Sequence, residues 1–436
     1  MTTKADRSAF RCFVGSLVLI AFLYGVAVGT FRVFPFHVFA LASDGLRELR
    51  GSTGIEDELP WYYRRVDASY PKALHNAGGA YQGLNLITQI EKGDRIAAMI
   101  ADMDGKTLHR WEVDWFTVWP DADHLPPSAV PKSRPGSHLH GAVVMDNGDL
   151  IYNYDHLGLV RLDRDSRVVW RLPYQTHHSI QRGDDGNLWV CGQRPRNVPD
   201  PDFQGRSPPY DEYTILLVSP DGAIRGEWSV PAILKKNGYQ GLLYLGSDQP
   251  HVIFRDDRLH LNDVEPFPAT MAEGFFNEHD VLVSLRNVNT IFVFDRRTER
   301  IKFIRTGQWV WQHDPDFVDG NSFTLFDNNC RDVPDEANLH SRIVAVDART
   351  NTVTTLFRGT PEHPFYTPIM GKHQWLPNGN LLITESRKGR AFEIDADGEI
   401  VWQYVNYVDD QTVGAVEEVQ RLPLAYGRLF GREPTQ

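Results

Sequence analysis

The sequence predicts an all-β fold, a six-bladed β-propeller, preceded by one transmembrane helix. Three observations predict it: a run of twenty uncharged residues near the N-terminus, a hairpin unit that recurs along the rest of the chain, and turns rich in Asn-Gly and Asp-Gly that return in the same order within the units.

The uncharged run extends from Cys12 to Phe31 and is mostly Val, Leu, Ile, Phe, Ala and Gly. About 20 such residues span a bilayer core as a helix. Lys4, Arg7 and Arg11 precede it against a single Asp6, so the positive-inside bias places a tail of residues 1–11 in the cytoplasm. The span is then 12–31, and the remainder is expected on the periplasmic or extracytoplasmic side of the inner membrane. A cleaved signal peptide is the competing reading, because Ala40-Leu41-Ala42 has the small residues of a cleavage site. The apolar run exceeds the ~7–15 residues of a secretory core, and Arg32 stands before the candidate site. Both features favour an uncleaved anchor.

The chain is 42% hydrophobic and 23% charged, with a formal net charge of −12. Such acidity argues against a nucleic-acid role, which needs a basic footprint. The cysteines are Cys12, Cys191 and Cys330, and Cys12 lies in the span. At most Cys191 and Cys330 can pair with each other, so no disulfide framework is expected.

Short apolar runs end near an Asp and are followed by a Trp seven residues on: Asp104 with Trp111, Asp163 with Trp170, Asp221 with Trp228, Asp395 with Trp402. Units around Asp295 and Asp347 keep the Asp and lack the Trp. Segments such as "LVRLDRDSRVVWRL" and "AFEIDADGEIVWQY" alternate around polar turns, as paired antiparallel strands do. A second hairpin lies upstream of most of them, with turns at 145–150, 183–188, 318–323 and 376–381 where Asn-Gly or Asp-Gly reaches positive φ cheaply. Two hairpins make a four-stranded blade, and six units at roughly 50–75 residue spacing make a propeller. The propeller is assigned to 91–405, with 32–90 as connector and peripheral segment and 406–436 as C-terminal extension. A β-sandwich array, the alternative, does not account for the ordered recurrence.

Histidines stand just ahead of the first turn of most units: His140, His178, His313 and His373, with His260 opening another. The first strand of each blade lines the channel, so these five are expected at one mouth. Taken singly, a His at a strand start is a satisfied polar residue. Recurrence at matching positions is what points to a site. His138, His156, His251 and His279 have no such repeat logic and read as loop or surface residues.

The segments "LHLNDVEPF", "VLVSLRNVNTIFVFD" and "WVWQHDPDFVDGNSFTLFDNN" resemble the bacterial arylsulfate sulfotransferase family. The likeness covers roughly 175–405 and is best over 258–329. It carries a His-x-Asn-x-Val segment (His260, Asn262, Val264) and a Ser-x-Arg strand (Ser284, Arg286) before Ile291 to Asp295. A Gln312-His313 pair follows, then the Gly320-Asn321 turn and Phe326 to Asn328. The resemblance implies a six-bladed propeller that moves a sulfuryl group between phenols without a nucleotide donor or other cofactor. It implies His313 as the nucleophile, His260 and Arg286 as ligands of the sulfuryl oxygens, and His178 completing the site, with His177 an adjacent alternative. A neutral imidazole is a competent covalent nucleophile, and an Arg fork suits a tetrahedral oxyanion. Asp314 is a candidate to orient an imidazole, although its side chain should point to the opposite face of the strand from His313. Two local departures are the long stretch "PFPATMAEGFFNEHD" and Asn287 in place of a His after Arg286. The retained anchor is a third.

The main rival is a membrane-held scaffold or accessory subunit, since propellers host many functions. A quinone-dependent dehydrogenase lacks its Cys-Cys pair here. A metal site finds support only in His138 and His140, which in a strand face the same way. The expected partners are a phenolic donor and acceptor and the membrane, with no nucleic acid; a membrane-protein partner or a homo-oligomer is left open.

Overall fold

The computed structural model describes residues 4–31, 59–199, 210–245, 257–330, 339–361 and 363–431. It falls into two compact units, divided between Trp61 and Tyr62.

In the first unit a helix runs from Lys4 to Phe31. Leu17, Val18, Ile20 and Phe22 on it are exposed. The transmembrane span expected at 12–31 is not shown, because among the described residues no helix is long and apolar enough to cross a membrane. The candidate cleavage site at 40–42 lies outside the described residues.

The second unit is built of antiparallel sheet. Its described strands form six sheets of four or five strands, plus one small sheet of three. The innermost strands are Leu139–Val144, Gln175–Arg182, Leu261–Pro266, His313–Asp319, Lys372–Trp375 and Val416–Leu422. Each lies against the next in that order, and the last returns to the first, so they close a ring about a central channel. The first sheet of the ring draws Leu84–Glu91, Arg95–Ala101 and Thr107–Trp111 from the N-terminal side and Val416–Leu422 from the C-terminal side. The sheets therefore extend beyond 91–405 in both directions. Loop-closure entropy falls on this one junction, and a buried charge pair holds it. Arg421 Nη1 donates to Glu393 Oε2 at 2.9 Å, Arg421 Nε donates to Asn85 Oδ1 at 2.8 Å, and both charged side chains are fully buried.

The recurrent Asp and Trp have separate tasks. Asp163 Oδ1 accepts from the backbone of Asp165 and Arg167, and Asp395 Oδ1 from Asp397 and Glu399, which closes the outer hairpins. In two units the turn-holding residue sits two positions earlier than expected: Asp102 for Asp104, and Ser219 for Asp221. Three of the four recurrent Trp join one sheet to the next, whereas the buried Trp111 Nε1 has no hydrogen-bond partner among the described residues. Trp170 Nε1 donates to Pro220 O, Trp228 Nε1 to Arg296 O and Trp402 Nε1 to Met103 O, at 2.9, 3.1 and 3.0 Å. A buried indole N–H needs such an acceptor, and the ring fills the wedge between neighbouring sheets. The upstream turns form as expected, with Asn147, Asp185, Asp319 and Asn378 each capping the backbone N–H two residues on. Cys191 and Cys330 are not joined by a disulfide.

Candidate active site

Four innermost strands carry a break in register close to a histidine: between Leu139 and Ala142, His177 and Ile180, Leu261 and Asp263, and His313 and Asp316. A bulge adds a residue to one strand and re-aims side chains. His178 and His260 sit at positive φ, 55° and 50°, as does Asp314 at 50°. Gly141 lets two of these strands approach: a Cβ there would lie 2.3 Å from His178 O. In consequence the His140 and His178 rings come within 4.3 Å of each other.

His178 meets His260 at 3.0 Å and lies against His140, and the charge of Arg286 acts on both His260 and His313. His260 Nδ1 donates to Asp257, which also accepts from the Tyr213 hydroxyl. Burial alone would raise the Asp257 carboxyl, but the His260 hydrogen bond pulls it down to about 2. With Nδ1 carrying the proton, His260 Nε2 is an acceptor, so His178 Nε2 donates to it at 3.0 Å. His178 Nδ1 then accepts from His177 Nδ1 at 2.9 Å. Three imidazoles thus form a row that ends on a carboxylate, and both His177 and His178 belong to it. Burial holds all three pKa values below the ordinary range, so the row is neutral.

His313 is set by Asn328. The Asn328 amide donates to Thr367 O at 3.0 Å and Met370 O at 2.6 Å, which turns its Oδ1 toward His313 Nδ1 at 2.7 Å. His313 therefore carries its proton on Nδ1, and Nε2 holds the lone pair. That nitrogen accepts one long contact, 3.2 Å, from the Met370 N–H. Burial first and the Arg286 charge second keep the His313 pKa well below 6.5. Gln312, fully buried, fixes the strand by donating from Nε2 to Ser284 Oγ at 3.0 Å, and its backbone carbonyl accepts from Asn262 Nδ2 at 2.8 Å.

Arg286 lies over the Trp311 ring at 4.9 Å, and its Nε donates to Asn287 Oδ1 at 3.1 Å. Asn287 in turn donates to Asp257 O at 2.6 Å. The residue that departs from the family pattern therefore steadies the Arg. Arg286 is mostly enclosed and makes no ion pair with a described carboxylate, so its terminal N–H groups are available to an anion. The long stretch after Pro266 does not border this site. Phe276 N donates to Gly320 O at 2.8 Å and Phe275 N to Asn321 Oδ1 at 3.0 Å, at the far end of the His313 strand.

Three expectations about histidines need correction. His373 does not join the mouth; its Nδ1 meets Asp314 Oδ2 at 2.9 Å and its Nε2 meets Thr324 Oγ1 at 2.8 Å. Asp314 thus orients His373 from the opposite face of its strand, and also holds Lys372 Nζ at 3.0 Å. His138 and His156, by contrast, are part of the mouth, each facing Asp155 at 3.4 and 3.5 Å. The signal for this lay in topology: the start of a first strand and the turn between the second and third strands fall at the same end of an up-and-down sheet. His279 is peripheral, beside Glu278 at 2.9 Å. His251 lies outside the described residues.

Asp314, Asp316, Glu265, Lys372, His373 and Glu418 line a separate cavity of about 290 Å³ further along the channel. Burial and the charges of Asp263 and Asp314 push the Glu265 carboxyl up to about 8. A carboxyl raised in the folded state takes up its proton more tightly there than in the unfolded chain. Its contribution is therefore most favourable below the unfolded value near 4.5 and is lost as pH rises toward 8. Glu265→Gln should raise the unfolding temperature by a few degrees at pH 8 and leave it nearly unchanged at pH 4.5. Thermal unfolding at the two pH values checks this; an equal or opposite change at pH 8 refutes it.

A family model described as Arylsulfotransferase (ASST) matches residues 141–407, more than half of the chain. No curated protein matches the chain. Among solved structures, a protein of unknown function from Bacteroides caccae aligns at 13% identity over 77% of this chain and 98% of its own, with a TM-score of 0.47. Virginiamycin B lyase from Staphylococcus aureus, in its inactive form with quinupristin, aligns at 9% identity over 83% and 88%, with a TM-score of 0.38. A β-propeller domain from Myceliophteria thermophila aligns at 8% identity over 77% and 90%, with a TM-score of 0.40.

Proposed function

The chain belongs to the arylsulfotransferase family, and from that premise we propose that it carries a sulfuryl group from a phenolic sulfate ester to another phenol by way of His313. The six sheets are read as the blades of a propeller whose channel mouth is the active site. The observation that carries the reading is the Asn328 amide, which leaves a buried, neutral His313 with its lone pair on Nε2 in the field of Arg286. In the first half-reaction Nε2 attacks sulfur, an N–S bond forms, the S–O bond to the aryl group breaks and the phenolate departs. In the second, the acceptor oxygen attacks sulfur and the N–S bond breaks, restoring the imidazole. Covalent catalysis of this kind splits one difficult step into two easier ones. Arg286 holds the sulfuryl oxygens; His260, its Nδ1–H engaged by Asp257 and its Nε2 by His178, stands beside them as the end of the imidazole row. Met370 N–H loses its acceptor when Nε2 bonds to sulfur and becomes a further donor to those oxygens. The phenolate leaves as the anion, since the neutral row His177, His178, His260 has no proton to give, and in the second half-reaction the row receives the proton that the acceptor gives up.

Mass spectrometry of the purified protein after exposure to a chromogenic aryl sulfate tests the reading. A sulfuryl adduct on the peptide that contains His313 is expected. No adduct and no turnover with several aryl sulfates would move the assignment to a non-catalytic scaffold.

The reading includes attachment at the inner membrane, with the sheets on the extracytoplasmic side. Its support is the uncharged run in the helix Lys4–Phe31 and the exposure of Leu17, Val18, Ile20 and Phe22. The full chain is expected to sediment with membranes and to resist extraction by high salt. Removal of residues 1–31 should release it to the soluble fraction. A full chain that is soluble without detergent contradicts the attachment.

A further inference from the structure

Four imidazoles surround the Asp155 carboxylate without closing on it. His138 Nε2 stands 3.4 Å from Oδ2, His156 Nε2 3.5 Å from Oδ2, and His140 Nδ1 and His178 Nδ1 each 3.8 Å from Oδ1. A good N–H···O hydrogen bond is about 2.7–3.2 Å. Ligands about 2.0–2.1 Å from a tetrahedral ion are, by geometry, roughly 3.3–3.4 Å apart. His138 at 3.4 Å has the spacing of ligands on a shared ion and His140 at 3.8 Å lies slightly beyond it; neither has that of a hydrogen bond. His138, His140 and Asp155 each offer a donor atom within 4.8 Å of the others.

Three further features point the same way. His140 is 7% exposed, and its Nδ1 has no hydrogen-bond partner among the described residues. Behind His138, on its Nδ1 side, Glu417 Oε2 lies 3.7 Å away on a side chain that is 1% exposed. At 3.7 Å the two do not hydrogen-bond; a carboxyl that closes on Nδ1 fixes the tautomer of a metal-ligating histidine and raises its basicity. The His138 and His140 ring centroids lie 5.4 Å apart, and Asp155 comes from the turn after Tyr154. His178 is not counted as a ligand because its Nδ1 already accepts from His177. His156, whose side chain is 38% exposed, borders the set from outside.

We propose that the channel mouth holds a divalent transition-metal ion of zinc's class, bound by His138, His140 and Asp155, with Glu417 positioning His138. Mixed imidazole and carboxylate donors suit zinc, iron, cobalt or manganese, not calcium or magnesium alone. Three protein ligands leave a coordination position free, as in catalytic and not structural zinc sites. The His140 ring abuts the row of imidazoles, so the ion borders the sulfuryl site. Its role, unlike its binding, rests on the transfer reading: an acceptor phenol's oxygen on the free position loses its proton to the imidazole row more readily.

Full-length protein, purified in detergent, stripped with chelator and shown by its thermal transition to be folded, should bind one zinc ion per chain in calorimetric titration. Cobalt in its place should give the visible absorption of a low-coordinate nitrogen and oxygen site. Asp155→Asn and His140→Gln should each weaken zinc uptake by more than about 100-fold, and Glu417→Gln by roughly 10–100-fold. His313→Ala, outside the ligand set, should bind zinc as the wild type does. Folded wild-type protein that takes up neither ion overturns the proposal, as does either ligand variant binding zinc with wild-type affinity. If Asp155→Asn does not fold, the wild-type titration and His140→Gln decide. Uptake is read without any aryl sulfate, so its failure and the failure of sulfuryl transfer are told apart.

Discussion

His313→Ala should abolish sulfuryl transfer, with turnover of a chromogenic aryl sulfate falling by roughly 10⁴-fold or more. In the wild type, aryl sulfate alone should release a burst of phenol stoichiometric with enzyme, because the first half-reaction needs no acceptor. The variant should show neither the burst nor the adduct. Neither His260 nor His373 can substitute, for physical reasons. His260 Nδ1 is committed to Asp257 and its Nε2 to His178, while His373 is turned away onto Asp314. Asn328→Ala should be milder, since it frees the tautomer without removing the nucleophile. The measurement is rapid-mixing kinetics with aryl sulfate as the only substrate. A full burst in His313→Ala would refute the assignment of the nucleophile, whatever the steady-state rate.

Arg286→Ala should slow adduct formation by roughly 10²–10³, the cost of a lost oxyanion donor, without eliminating it. Arg286→Lys should recover part of the loss, because the charge returns but the planar fork does not. Both changes should act on the rate of the chemical step more than on substrate affinity, since negative charge on the sulfuryl oxygens is redistributed in the transition state. The Arg is well placed for this. Trp311 packs on its face, Asn287 holds its Nε, and no described carboxylate neutralises it at close range. Single-turnover rates for the three proteins at saturating aryl sulfate check the order. An Arg286→Ala variant with the wild-type single-turnover rate would remove the guanidinium from the chemistry.

Much of the site is legible in the sequence. His260, Arg286 and His313 stand in a motif whose residues suit the chemistry, and His178 falls at a matching place in its unit. The partners that give these residues their states are not legible there. Asn328 lies 15 residues from His313 and Asp155 lies 23 from His178. Nothing in the local pattern of "FDNN" or "YDHLG" says that these side chains meet an imidazole. One rule brings several of them within reach: in an up-and-down sheet the second turn lies at the same end as the start of the first strand. His138 and His140 are joined to Asp155 and His156 in this way, and His313 to Asn328.

The sequence by itself determined most of the hairpins and their turns, because alternation, Asx caps and positive-φ glycines act over a few adjacent residues. Asn147, Asp185 and Asn378 cap where their turns predicted, and Trp170, Trp228 and Trp402 recur because each must find a carbonyl in the next sheet. Only the tertiary structure decided how the ring closes and which histidines share a mouth. Val416–Leu422 pairs with Leu84–Glu91 across most of the chain, and that pairing is set by closure, with Arg421 and Glu393 buried at the seam. The bulge beside His313 sends it toward Asn328, while Asp314, the next residue, turns to Lys372 and His373. Two adjacent residues on one strand thus serve different clusters, because a strand's neighbouring side chains face opposite ways and only the packed ring supplies what each one meets.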